Sequence, residues 1–216
     1  MQIAVFDVCD TIYNVNTTFS FLDNFFANNR KYIFFRKVSK FLPVKFLSLI
    51  FFKVFKKDLI RNFGTSFLNM KDIEEIQKYA HKFVYDHLIN EIKDVTVKKI
   101  KSYKSQGYKI VLMSGSYSFI IEEVAKYFNV DHFFASKLNI NGKHYTGKYT
   151  KDILLNKYQI LKNEFKHIDK LVVVSNNKTD LELMRFADRS FAICNKKSDK
   201  KFWQPFNDIT IIEDFK

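Results

Sequence analysis

The chain has 216 residues, 47% of them hydrophobic, with 25 Phe and 11 Tyr. A chain of this kind buries a core and a small insert, which excludes wholesale disorder, and its two cysteines exclude a disulfide scaffold and give no zinc spacing. The formal charge is +13, but Lys and Arg run along the whole sequence without an Arg-rich block, which argues for solvated faces and against nucleic acid as the partner.

In chain order, residues 2–6 (Gln-Ile-Ala-Val-Phe) predict a short buried strand, apolar and followed at once by polar residues. The N-terminus has neither a basic n-region nor a long apolar h-region. No secretion signal is expected, and the cytoplasm is the expected location, with the inner membrane surface as the alternative. Residues 15–94 contain apolar helical stretches and no convincing strand. They predict an inserted helical cap, which leaves 1–14 and 95–216 as the core domain. Within the cap, 41–57 is apolar and studded with Lys45, Lys53, Lys56 and Lys57. Its uninterrupted apolar stretch is far short of the roughly 20 residues that span a bilayer. It fits a buried cap helix or a basic amphipathic helix on a membrane surface.

Asp72-Ile73-Glu74-Glu75 has the form of a capping box opening a helix. A helix over 95–106 stops at Gly107, and strand 109–113 (Lys-Ile-Val-Leu-Met) follows. Residues 117–128 keep helical spacing. Residues 136–148 predict a hairpin with an Asn141-Gly142 turn. Then come a helix over 152–165, a strand over 170–174, a helix over 179–186 and a weaker strand over 190–193. Near-continuous apolar strands alternating with helices predict an α/β chain with a Rossmann-like parallel sheet, an all-helical cap and a small β-hairpin.

In such sheets, chemistry gathers at the carboxyl ends of the strands. After the first strand comes Asp7-Val8-Cys9-Asp10-Thr11. After the second comes Ser114-Gly115-Ser116, and after 170–174 comes Ser175-Asn176-Asn177-Lys178-Thr179-Asp180. Lys157 lies on the helix between the last two. Taken singly, Asp7 is a turn residue, Asp180 a first-turn acid and Lys157 a solvated helix lysine. Taken together they supply a carboxylate nucleophile, a hydroxyl phosphate clamp, a cation and oxygen donors for a hard metal. Phosphoryl transfer through an aspartyl-phosphate needs that set.

These four segments, in this order, resemble the haloacid-dehalogenase superfamily, in its phosphoserine-phosphatase-like branch with a helical cap. Asp7-Val8-Cys9-Asp10-Thr11 is similar to motif one, Ser114-Gly115-Ser116 to motif two, Lys157 to the motif-three lysine and Asn176 to Asp180 to motif four. The resemblance implies a phosphomonoester phosphatase with Asp7 as nucleophile. It implies a phosphoryl group bound by Thr11, Ser114, Gly115 and Lys157. Mg²⁺ would be held by Asp7, the Cys9 carbonyl, Asn176 and Asp180.

Two positions depart from the pattern. Cys9 stands where the family has its general acid, and a thiol with a pKa of about 8.5 donates poorly to an alkoxide at neutral pH. Asp10, one residue on, is the substitute acid or a turn residue. Asn176 replaces an acid of motif four and weakens the metal site. The resulting readings are a phosphatase with a variant acid, a slow aspartyl-phosphate enzyme, and an impaired fold that only binds phosphorylated ligands.

Residues 12–22 hold no Asp or Glu to meet the amino group of phosphoserine. The cap is aromatic and basic instead, with Phe34, Phe35, Arg36, Phe46, Phe51, Phe52 and Arg61. Such a cap suits a partly apolar, small or lipid-linked phosphate ester. It resembles the apolar caps of lipid-phosphate phosphatases of the same branch, such as phosphatidylglycerophosphatase.

Overall fold

A computed structural model describes residues 1–215. The first strand, β1 (Gln2–Phe6), is the axis of a seven-stranded sheet. Beside it on one side lies β2 (Lys109–Tyr117), then β3 (His132–Asn141) and β4 (His144–Lys151). On the other side lie β5 (Lys170–Ser175), β6 (Arg189–Cys194) and β7 (Ile209–Glu213). Every neighbouring pair is parallel except β3 with β4. The chain thus builds one half of the sheet, crosses β1 and builds the other half. The carboxyl end of β1 is the switch point, where the ends of β2 and β5 also open a crevice.

Alternation along β1 explains why this strand is apolar throughout. Ile3 and Val5 face a cluster with Leu161, Met184 and Trp203. Ala4 and Phe6 face the opposite cluster, with Ile100, Ile120 and Val124. Both faces are covered, so neither can carry polar side chains. The first cluster is supplied by α8 (Lys157–Glu164), α9 (Leu181–Phe186) and α10 (Lys197–Trp203). The second is supplied by α6 (Asp94–Ser105) and α7 (Ser118–Phe128).

Between β1 and α6 the chain forms five α-helices: α1 (Thr17–Phe25), α2 (Arg30–Lys40), α3 (Leu42–Phe55), α4 (Leu59–Ser66) and α5 (Ile73–Asp86). Asn16, Asn29, Asp58 and Asp72 each accept a backbone N–H as N-caps of α1, α2, α4 and α5, which fixes where these helices start. The outgoing and returning chains run side by side, with Asn14 N–H donating to Glu91 O at 2.7 Å and Lys93 N–H to Ile12 O at 2.8 Å. Phe21, Phe83 and Leu68 join the same apolar cluster as Ile120 and Val124, so the insert shares a continuous interior with one face of the sheet. Among the described residues, no helix is long and apolar enough to cross a membrane.

Several predicted boundaries shift. β2 runs four residues past Met113, so Ser114-Gly115-Ser116 lies on strand rather than in a loop. The helix predicted from residue 152 begins at Lys157, because β4 continues to Lys151. The hairpin forms, but its two loop residues are Gly142 and Lys143, with Asn141 paired to His144. Gly142 at φ 58° supplies the left-handed first position that such a turn requires. The edge strand β7 and helix α10 are additional elements that the sequence reading did not contain.

The hairpin grips the insert. Met70 N–H donates to Tyr145 O at 2.8 Å, Tyr145 N–H to Lys71 O at 2.9 Å and Ile73 N–H to Lys143 O at 3.0 Å. Gly147 sits at φ 69° with the backbone of Ser66 so close that an added Cβ would stand 2.9 Å from it. Gly147→Ala combines left-handed strain with a backbone clash, and is expected to cost about 2–3 kcal/mol. Calorimetry should show a melting point lower by roughly 5–10 °C; an unchanged melting point would mean that the hairpin and the insert do not meet this closely.

Candidate active site

Asp7 is the first residue past β1, and its backbone N–H still bonds to Val174 O across the sheet at 3.0 Å. Its side chain is almost fully buried. Lys157, at the first turn of α8, donates from Nζ to Asp7 Oδ1 and to Asp180 Oδ2, each at 2.7 Å. Thr11 donates to Asp7 Oδ2 at 3.2 Å or to Asn176 Oδ1 at 3.1 Å, and its Oγ1 accepts the Asn176 backbone N–H at 3.0 Å. Ser175 donates to Asp180 Oδ2 at 2.7 Å. The first and fourth segments are thus joined side chain to side chain, as the sheet order requires.

Two buried carboxylates face one ammonium here. Burial alone would lower the Lys157 value, but Asp180 and Asp7 outweigh it and hold the ammonium firmly charged. Burial pushes Asp180 up to about 6, and the charge of Asp7 adds to the push against the pull of Lys157. The remaining Asp180 oxygen, Oδ1, is buried without a hydrogen-bond partner. An orphaned acceptor of this kind is open to a partner that the protein does not supply, a water or a cation.

Above this layer lies a cleft of about 730 Å³ lined by Asp7, Cys9, Asp10, Ser114, Gly115 and Asn176. Thr11, Lys157 and Asp180 lie beneath its floor and do not line it. Ser114 Oγ accepts the Ser116 N–H at 3.2 Å and lies 3.8 Å from Cys9 Sγ. Cys9 Sγ is 2.9 Å from Thr17 Oγ1, at the start of α1. Burial first, and then the charge of Asp7, raise the thiol above its ordinary value. Asp10 has φ 54°, the left-handed conformation that suits Gly, Asn or Asp. Asn195 donates to its carbonyl at 2.8 Å. Burial, and then Asp7, raise the Asp10 carboxyl.

The sequence reading missed the contacts that cross from the insert. Arg61 on α4 is buried, donates to Gly115 O at 3.0 Å, pairs with Asp152 and stacks over Tyr149 at 4.6 Å. Gly115 is needed for this, because a Cβ there would lie 2.9 Å from the guanidinium. Thr18 on α1 donates to Ser116 at 3.0 Å. Lys196 and Asp199, before and on α10, border the cleft on the core side. A basic residue in a helix carries no sequence signal of which strand it will reach, so only Arg61's place in a basic cap was legible.

The family model for haloacid dehalogenase-like hydrolases matches residues 4–185, which spans every segment just described. The chain belongs to the haloacid dehalogenase-like hydrolase family. A phosphoserine phosphatase of Lactococcus lactis subsp. lactis is 26% identical over 107 residues, 47% of this chain and 50% of that one, so the match spans about half of that relative's length. A Bordetella pertussis Tohama I protein of unknown function superposes with a TM-score of 0.76 at 15% identity, over 98% of this chain and 97% of that one. A substrate-bound phosphoserine phosphatase superposes at 0.65 and 18% identity, over 97% and 92%. At these identities the structural likeness speaks for the fold, and the haloacid dehalogenase-like fold is what it shows.

Proposed function

We propose that this haloacid dehalogenase-like hydrolase is a Mg²⁺-dependent phosphomonoester phosphatase working through an aspartyl-phosphate on Asp7, with 15–94 as its cap. The observation that carries the reading is Lys157 Nζ held 2.7 Å from both Asp7 and Asp180 beneath a cleft that also presents Ser114. A lysine bonded to two buried acids is an expensive structural device unless the acids have work to do.

In this reading an Asp7 carboxylate oxygen attacks phosphorus, the P–O ester bond breaks, and the leaving alkoxide takes a proton from Asp10, the substitute acid in the cleft, or from water. Water then cleaves the acyl phosphate, releasing inorganic phosphate and restoring Asp7. Lys157 and Thr11 fix the two Asp7 oxygens, which orients the nucleophile before substrate arrives. Ser114 and the cleft-facing backbone beside Gly115 receive the phosphoryl oxygens. Thr11 therefore positions Asp7 instead of touching the substrate. The donors fit a hard cation: Asp7, the Cys9 carbonyl, Asn176 Oδ1 and the orphaned Asp180 Oδ1. Mg²⁺ bound there would neutralise charge on the phosphoryl oxygens.

The cleft wall supplied by the cap combines Leu49, Phe52 and Ile60 with Arg36, Lys40 and Lys45. This wall favours an anionic ester with an apolar body, including a lipid-linked one, over free phosphoserine. Asn16 lies at the cleft but spends its side-chain oxygen on capping α1, so it is not free for an amino group.

Turnover of p-nitrophenyl phosphate with Mg²⁺, lost on chelation, tests the proposal; no turnover at any metal concentration would leave the cleft as a binding site for phosphorylated ligands. Cys9→Asp addresses the variant acid. It is expected to raise turnover of an alkyl phosphate by about 10²-fold relative to the aryl ester, because only the poor leaving group needs a proton. Equal effects on both esters would show that Cys9 does not stand at the leaving-group position.

A further inference from the structure

Helix α3 has no buried residue, although it is 14 residues long and mostly apolar. Leu42 is 76% exposed, Phe46 64%, Leu47 65% and Val54 64%. A stripe this apolar normally faces a core. Here α2 and α4 cover only its inner edge, along an apolar groove of about 1170 Å³. Leu42 and Phe46 lie outside that groove and point to solvent.

Charge decides what meets this face. Residues 24–57 contain nine basic side chains (Arg30, Lys31, Arg36, Lys37, Lys40, Lys45, Lys53, Lys56 and Lys57) and no acid. Arg36 is paired with Asp23, but the other eight have no salt-bridge partner among the described residues. A second copy docking by two-fold symmetry would therefore oppose these cations to their equals. An apolar ligand filling the groove would leave Leu42, Phe46 and the lysines uncovered. A flat anionic surface with an apolar layer beneath it satisfies both features at once.

We propose that the α2–α3 unit docks on an anionic lipid bilayer, with α3 lying in the interface. At about 1.5 Å per residue, 14 residues make a helix about 21 Å long, which lies along a membrane and does not cross it. The apolar side chains enter the headgroup boundary, and the lysines meet lipid phosphates. The opposite edge of α3 presents Lys45, Ser48, Leu49 and Phe52 to the cleft over Asp7. Docking therefore sets the mouth of the cleft at the headgroup plane. The docking itself needs no catalysis and stands apart from the phosphatase reading.

Flotation on sucrose tests it, with phosphatidylcholine vesicles beside mixed phosphatidylcholine–phosphatidylglycerol vesicles. The intact chain is expected to bind the mixed vesicles at least about tenfold better than the neutral ones, and less as salt rises. Asp7→Asn should float equally well. Leu42→Ser with Phe46→Ser removes two solvent-facing side chains outside the cleft. It should lose flotation while keeping its circular dichroism and melting point. Lys53→Gln with Lys56→Gln and Lys57→Gln should lose the preference for anionic lipid. Absence of flotation on either vesicle would overturn the proposal. So would a dimer in solution that Leu42→Ser with Phe46→Ser converts to monomer, since that would assign the face to a second copy.

Discussion

Asp7→Asn is expected to lower turnover of p-nitrophenyl phosphate by at least about 10⁴-fold while leaving the protein folded. The amide keeps the shape of the carboxylate: its one oxygen can still accept from Lys157, and its NH2 can donate to Thr11 Oγ1, which in the wild type donates to the second carboxylate oxygen. It cannot form the acyl phosphate. It also removes one of two buried negative charges around a single ammonium, so stability should not fall. Acid quenching with a labelled phosphate ester checks the chemistry: label should stay on the wild-type chain and be absent from the variant. Activity within tenfold of wild type would remove Asp7 as nucleophile and with it the proposed mechanism.

Lys157→Met should have the largest effect on stability, about 3–5 kcal/mol, because it strips the only cation from two buried carboxylates. The effect should depend on pH. In the wild type Asp180 sits at about 6 when folded, above its usual 3.8. The folded protein therefore holds an extra proton between those values. The stability this contributes is present at low pH and is lost as pH rises from about 4 to about 6. Without Lys157, which pulls Asp180 down, the folded value moves higher and the loss extends further up the pH scale. The variant should approach wild-type stability in acid and fall furthest behind above neutrality. Urea melts without metal across this range would show it; a penalty independent of pH would mean that the carboxylates are not the source.

The sheet was legible because its central strands are covered on both faces, so β1, the first half of β2 and β5 read as unbroken apolar runs, and β6 as a weaker one. The residues at their ends follow from the parallel order, which is why Asp7, Ser114, Asn176 and Asp180 fall within one layer or the cleft above it. What was hidden depends on partners far away in sequence. The polar stretch Ser114–Ser116 reads as a loop, and Tyr117 as the start of a helix, but both become strand where β3 pairs with β2 and α4 covers it through Arg61. Lys157 was legible only by its order in the chain, since nothing local separates a buried lysine from the solvated ones around it. The edge strand β7 had an apolar signature, Ile209-Thr210-Ile211-Ile212, but stands alone, with no polar residues of chemical interest behind it. Helix α3 is the opposite case: its sequence asks for burial, and the fold half-covers one edge and buries no residue of it.

The three backbone bonds between residues 70–73 and the hairpin, together with the Arg61 link to Gly115, set how this cleft can breathe. On that side the insert is sewn to the hairpin and to β2, and swinging it away would break a strand-like seam and expose a buried guanidinium. The seam thus acts as the fixed jamb of a door whose free edge is the α2–α3 side. Amide exchange should be slow at residues 70–73 and fast along 41–57.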